Sequence, residues 1–254
     1  MNTARETYFI YMRNIKAWLG QPALVVSTLM PPVFMFLFFG TPLRGMTGIA
    51  GFPADDYYAY FAAMIIVLSV VMNGADVAFA LLTDMLSGYF DKLLLAPVNR
   101  FSILMGTLLT SGTRALLQVV VIVAMALIFG VRFQGGLVGM MAVIIAAAVF
   151  GIATACIGLI IALKTRSAQM TQNSWLMFMP LAFLTTAFMP KEFLTGWFKW
   201  AVTVNPVDYV LVSVRTIIIT GWEWESILPG IWVLAAVTAI MLTAATWTYR
   251  GATA

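Results

Sequence analysis

The sequence predicts an all-α integral membrane protein. Its parts are six transmembrane helices, an N-terminal amphipathic surface helix, a short cytoplasmic helix, and an outward re-entrant hairpin before the last span. Three observations predict this. Only 14 Lys or Arg and 10 Asp or Glu occur in 254 residues, or 9% charged, against about 25% in an ordinary soluble domain. Hydrophobic residues make up 62% and the mean hydropathy is +0.97. Six windows are free of charge, or carry one, for long enough to cross ~30 Å of hydrocarbon, which takes about 20 helical residues. So few charges cannot clothe a soluble core, and so apolar a chain is not disordered.

Residues 3–19 come first. At 100° per residue Tyr8, Tyr11, Met12, Ile15, Trp18 and Leu19 share one arc, with Arg5, Arg13 and Lys16 beside it. Phe9 and Ile10 miss that arc. The pattern predicts a helix lying on the cytoplasmic membrane surface. A cleaved signal peptide is the competing reading, opposed by the long charged part and the lack of an A-x-A site.

The six windows follow. Residues 17–43, 133–163, 167–190 and 226–249 carry no charge; 57–83 carry only Asp76, and 101–131 only Arg114. Long unbroken runs mean helices rather than the short alternating segments of a β-barrel. Pro31 and Pro32 are expected to kink the first span. Ala147, Gly151 and Ala155 recur every four residues in the fourth, where small faces allow close helix packing. The stretch 191–222, interrupted by Pro206, Asp208 and Arg215, admits a seventh span; a pair of short helices dipping into the outer face is preferred. With the N-terminus inside, Arg5, Arg13, Lys16, Lys92, Arg100, Lys164, Arg166 and Arg250 fall on the cytoplasmic side. Only Arg44, Arg132, Lys191, Lys199 and Arg215 fall outside. That bias obeys the positive-inside rule and puts both termini in the cytoplasm.

Missing residues exclude chemistry. There is no histidine, so His-based triads and zinc sites are out. The single cysteine, Cys156, forms no internal disulfide. The nearest approach to a nucleotide-binding loop, Gly158 to Thr165, has Leu163 where the second glycine belongs. The chain is expected to be no enzyme and to hold no metal or other cofactor; any ATP is bound by another chain. The two charges inside spans, Asp76 and Arg114, each need protein or water beside them. A structural charge pair and a polar lining of a transport path both satisfy that need.

Two stretches carry the rest. Residues 84–100, DMLSGYFDKLLLAPVNR, join the second and third spans. Asp84 reads as an N-cap, a short amphipathic helix follows, and Pro97 stops it after an extended Ala96. Residues 185–215 hold Phe188, Pro190, Trp197, Asn205, Pro206, Tyr209 and Arg215 in order. The first stretch resembles the loop of ABC-type exporter permeases of the daunorubicin-resistance class, with Asp84, Gly88, Leu93, Pro97 and Arg100 in register. Met85 and Leu86 stand where that family usually has a charged pair. The second resembles the family's outward re-entrant hairpin.

The resemblance, covering nearly the whole chain, implies the membrane subunit of an ATP-driven exporter in the cell membrane. Two such permeases would pair, as a homodimer or with a related second permease. Two copies of a separate ABC ATPase, holding ATP and Mg, would dock below. Coupling would run through Asp84, Gly88, Asp91, Lys92, Leu93, Pro97 and Arg100. The implied cargo is hydrophobic or amphipathic: drugs, antibiotics or lipids. The implied surroundings are membrane lipid, with no nucleic-acid partner. Two alternatives from other classes remain: a proton-coupled secondary carrier using Asp76, and a membrane-embedded enzyme, which so few intramembrane charges disfavour.

Overall fold

The computed structural model describes residues 3–48, 54, 56–95 and 98–253, and among them every regular element is helical. Five helices are long and apolar enough to cross a membrane: α2 (Pro22–Gly40), α3 (Tyr57–Leu86), α5 (Arg100–Ile128), α6 (Gly136–Thr165) and α11 (Trp224–Thr253). At ~1.5 Å per residue a 30-residue helix such as α3 is about 45 Å long, more than the hydrocarbon thickness. α3 is the buried centre of the bundle, while α2 and α11 lie at its edges.

Small residues let the centre close. A Cβ on Gly74 would fall 2.7 Å from the Thr154 backbone, one on Gly151 2.7 Å from Ala115 Cβ, and one on Gly158 2.8 Å from Ala78 Cβ. The stripe of Ala147, Gly151 and Ala155 is buried and faces its own bundle. Hydrogen bonds then cross where the backbones approach. Ser111 donates to Gly151 O at 2.9 Å, and Thr154 donates to Val70 O at 3.3 Å. Within hydrocarbon such bonds replace the water that those groups lack.

α2 runs through both prolines. Pro32 has no N–H for the carbonyl of Thr28, and Gln118 Nε2 of α5 donates to that carbonyl instead, at 3.0 Å.

The window 167–190 is not one helix, a correction to the expected fifth span. Arg166, at φ 48°, closes α6 in the left-handed region. Ser167 then caps a five-residue helix, α7 (Ala168–Gln172). A 3-10 turn covers Asn173–Met177, and α8 (Met179–Phe183) starts afresh with Pro180 in its first turn. The pieces still run the length of the bundle. Ser174 lies against Gly158 near the end of α6, and Thr186 accepts from Tyr60 near the start of α3.

Beyond them come α9 (Gly196–Val204) and α10 (Pro206–Ile219), bent by 80° at Asn205. Pro206 forbids a helical Asn205, which is extended at φ −79° and ψ 116°. If the bent pair counts as one crossing, the apolar helices number six. The chain ends meet at one end of the bundle. α1 (Thr3–Leu19) begins beside the first turn of α5, and Tyr249 near the end of α11 packs edge-on against Phe90 of the short helix α4 (Tyr89–Leu95).

α1 also differs from expectation in the face it buries. Glu6, Ile10, Ile15 and Trp18 are buried, while Tyr8, Phe9 and Leu19 are about half exposed. The helix runs beside α5 in the same direction. Glu6 meets Asn99 and Ser102, Ile10 meets Gly106, Tyr11 meets Thr113, and Trp18 meets Arg114. The apolar arc therefore splits, one part against α5 and one part outward.

Candidate functional site

The first part of the site is the bend between α3 and α5. Asp84 does not open the short helix, as the sequence suggested. α3 continues through Asp84 to Leu86, because nothing before Ser87 stops it, and the carboxylate forms an ion pair with Arg13 of α1. Gly88, at φ +71°, makes the turn, which a Cβ would strain by backbone conformation alone since no atom lies within 4 Å of it. α4 then presents two faces. Phe90 is buried and Leu93 packs beside it, while Leu86 before the turn, Tyr89, Lys92 and Leu95 are exposed. Asp91 lies on α4. Ala96 and Pro97 fall outside the described residues. Arg100, exposed, begins α5 after Asn99, whose side chain accepts from Phe101 N at 2.9 Å.

α1 holds both ends of this bend. Arg13 pairs with Asp84 and lies over the Tyr89 ring, 4.2 Å from its centroid. Seven residues earlier, the buried Glu6 carboxylate accepts from Asn99 N at 2.8 Å and Ser102 Oγ at 3.2 Å. It thereby takes up orphan donors at the start of α5, where a negative charge is favoured.

Further into the bundle a cavity of about 600 Å³ opens among α1, α2, α3 and α5. Both intramembrane charges, Asp76 and Arg114, line it. No ion pair within 4 Å joins them, although they interact electrostatically. Arg114 is 8% exposed and stands over the Trp18 ring at 5.0 Å. No hydrogen bond within the chain reaches its guanidinium among the described residues, and of its nitrogens only Nε is sealed. A recess of about 140 Å³ continues past Asp76 to Asn73, Gln118 and the two prolines. Asn73 Oδ1 and Gln118 Oε1 there are buried without partners.

The second stretch forms a polar knot at the far end of the bundle. Asn205 Nδ2 donates to the carbonyls of Leu181 and Leu184, at the end of α8. Asp208 accepts from Thr186 N at 2.6 Å and Thr186 Oγ1 at 2.8 Å. Arg215 donates to Thr186 O at 2.9 Å and Thr186 Oγ1 at 3.1 Å, and stacks over Tyr60 at 3.6 Å. These side chains satisfy a backbone that has left the helix, as irregular chain at membrane depth requires. Tyr209 closes its own turn by donating to Thr203 O at 2.9 Å. Phe188 stacks on Phe183, Pro190 is buried, and Trp197 is exposed.

The structure thus places Asp76 and Arg114 on one cavity, and links Arg215 to Asp208 through Thr186 elsewhere, with Asn205 holding the end of α8. Glu6, Asp208 and Tyr60 were not singled out from the sequence. Asp208 had a signal: it stands seven residues before Arg215, on the same helical face. Glu6 had none, because its partners lie 93 and 96 residues away.

Comparison with known proteins identifies the family. A daunorubicin resistance ABC transporter permease, DrrB1 of Streptomyces coeruleorubidus, is 26% identical over 76% of this chain and 67% of its own. A probable doxorubicin resistance ABC transporter permease, DrrC of Mycobacterium tuberculosis, is 24% identical over 80% and 73%. A putative transport permease, ycf38 of Cyanophora paradoxa, is 24% identical over 83% and 73%. The family model described as ABC-2 type transporter matches residues 5–219, well over half of the sequence, so the chain belongs to the ABC-2 type transporter family.

Proposed function

We propose that this protein is the permease subunit of an ATP-driven exporter, working with a separate ABC ATPase. The observation that carries the reading is the bend: a short helix at one end of the bundle, exposed on Tyr89, Lys92 and Leu95, with Leu86 exposed before the turn, and braced by α1. A partner pressing on that face pushes directly on α3 and α5, two of the four helices around the cavity. The end carrying α4 and both termini faces the cytoplasm, in keeping with the excess of Lys and Arg there. Tyr8, Phe9 and Leu19 then meet lipid at the inner interface, α9 and α10 form a re-entrant hairpin at the outer face, and two permeases pair. The cargo is amphipathic, a drug or a lipid, in line with the names of the relatives.

The test is co-expression with an ABC ATPase, sought first in the neighbouring reading frame. The two proteins should co-purify, and cargo should stimulate ATP hydrolysis. Gly88→Val, strained by roughly 1–2 kcal/mol at a left-handed φ, should cut that stimulation several-fold while complex formation persists. A permease that neither retains nor stimulates any ABC ATPase would refute the reading. Asp76 in its cavity gives a proton-coupled carrier its one point of support. Uptake driven by a proton gradient in ATPase-free vesicles would favour that alternative.

A further inference from the structure

Arg114 and Asp76 are the unusual pair in this bundle. Arg114 is more than nine-tenths buried within a span, and no carboxylate or carbonyl of the chain accepts from it among the described residues. Buried charges are ordinarily paired, because taking an ion out of water costs several kcal/mol. Asp76 is near enough to interact but not to bond. The other two charges on the cavity wall, Arg13 and Asp84, pair with each other at the rim. One positive and one negative group are therefore left facing the same space without a direct bond between them.

The rest of the wall mixes uncharged polar side chains, among them Asn14, Gln21, Ser27, Thr107 and Gln172, with apolar ones. Of the apolar ones Val77 and Leu81 are buried, while Leu24 and Phe79, both exposed, lead out toward the bundle surface. The volume of about 600 Å³ falls in the range of ligand pockets. It exceeds what a few bridging waters occupy, at about 30 Å³ each.

We propose that this cavity binds the head of a zwitterionic amphiphile, its anionic group on Arg114 and its ammonium on Asp76, with the apolar part leaving past Leu24 and Phe79. The guanidinium offers two unsealed nitrogens, suited to a phosphate or carboxylate. Asp76, as acceptor, suits a primary or secondary ammonium, which donates hydrogen bonds, over a quaternary one, which does not. The proposal rests on the exporter reading for its meaning as a cargo site, but binding itself needs no ATPase. An aminophospholipid and an amine-bearing acidic amphiphile of cytoplasmic origin share this chemistry.

The test uses the purified full-length chain in maltoside detergent, with native mass spectrometry counting bound probe. Lysophosphatidylethanolamine carries both charges, lysophosphatidylglycerol only the phosphate, and dodecylamine only the ammonium. The first should bind at least ten-fold more tightly than either of the others. Arg114→Gln should remove the advantage of the phosphate and leave dodecylamine unaffected; Asp76→Asn should do the converse. N-dodecyl-β-alanine, an ammonium carboxylate without a phosphate, separates the sources. Tighter binding than lysophosphatidylethanolamine assigns a non-lipid cargo, and weaker binding a membrane lipid. If either charge variant fails to elute as a folded species, Ala80→Phe, at an exposed wall position, narrows the cavity and should weaken binding of all probes several-fold. Equal affinity for all probes, or charge variants that bind like the parent chain, would overturn the proposal. ATPase stimulation intact in the presence of such a result would leave the exporter reading standing, and probe binding without any ATPase partner would do the reverse.

Discussion

Thr186 is one residue whose polar atoms are nearly all spoken for. Its N–H and hydroxyl go to Asp208, its carbonyl takes donors from Tyr60 and Arg215, and Arg215 also reaches its hydroxyl. Asp208 and Arg215 form no ion pair within 4 Å, so they act on each other through this residue. Removing Asp208 strands a buried N–H and leaves the Arg215 charge less compensated. Asp208→Ala should therefore lower stability by about 3 kcal/mol, read as an earlier thermal unfolding transition in detergent. Asp208→Asn, which keeps an acceptor oxygen, should cost less. The sequence pointed to Asn205 and Arg215 through their order with Pro206, but marked Asp208 only as a break in the apolar stretch 191–222. Its burial, 6% exposed, follows from the turn at Leu184 to Ala187, and no local pattern announces that turn.

At the scale of elements, the long helices were legible because a span needs only length and apolarity, which composition displays directly. What escaped is where helices stop and what they lean on. Asp84 looked like a cap, yet α3 had no reason to end before Ser87 and Gly88. α1 looked like a float on lipid, yet part of its apolar surface and Glu6 are turned to α5, a pairing set by residues about a hundred positions apart. That pairing makes α1 a strap across the bend. Glu6→Ala removes the acceptor for Asn99 N and Ser102 Oγ and the negative charge at the start of α5, together worth about 1–3 kcal/mol. Amide hydrogen exchange over residues 98–106 should accelerate roughly ten-fold, as about 1.4 kcal/mol implies. Arg5→Ala, changed on the exposed side of the same helix, should leave that exchange as it was. Equal exchange in the Glu6 variant would show that α1 merely lies alongside.

For the whole molecule, the number of crossings decides which loops share a compartment, and the sequence alone left α9 and α10 open between a span and a hairpin. The hydrogen bonds favour a hairpin. Asn205, at the bend, reaches back to Leu181 and Leu184. The far end of α10 meets the α5–α6 turn, where Gln134 N and Gly135 N donate to Ile218 O and Ile217 O, both at 3.0 Å. The chain thus leaves the knot around Thr186, returns to it at Asn205 and Asp208, and ends beside the turn that joins α5 to α6. Cysteine accessibility tests this directly, because the native Cys156 is fully buried in α6 and gives a quiet background. Cysteines replacing the exposed Lys191 and Trp222 flank the segment. In right-side-out membranes an impermeant maleimide should label both, and should leave a cysteine at Lys92 on α4 unlabelled until the membrane is opened. If Lys191→Cys and Trp222→Cys label from opposite sides, α9 and α10 form a true crossing. The two termini, which meet α4 and α5 at one end of the bundle, would then require the broken segment at 167–190 to turn back within the membrane.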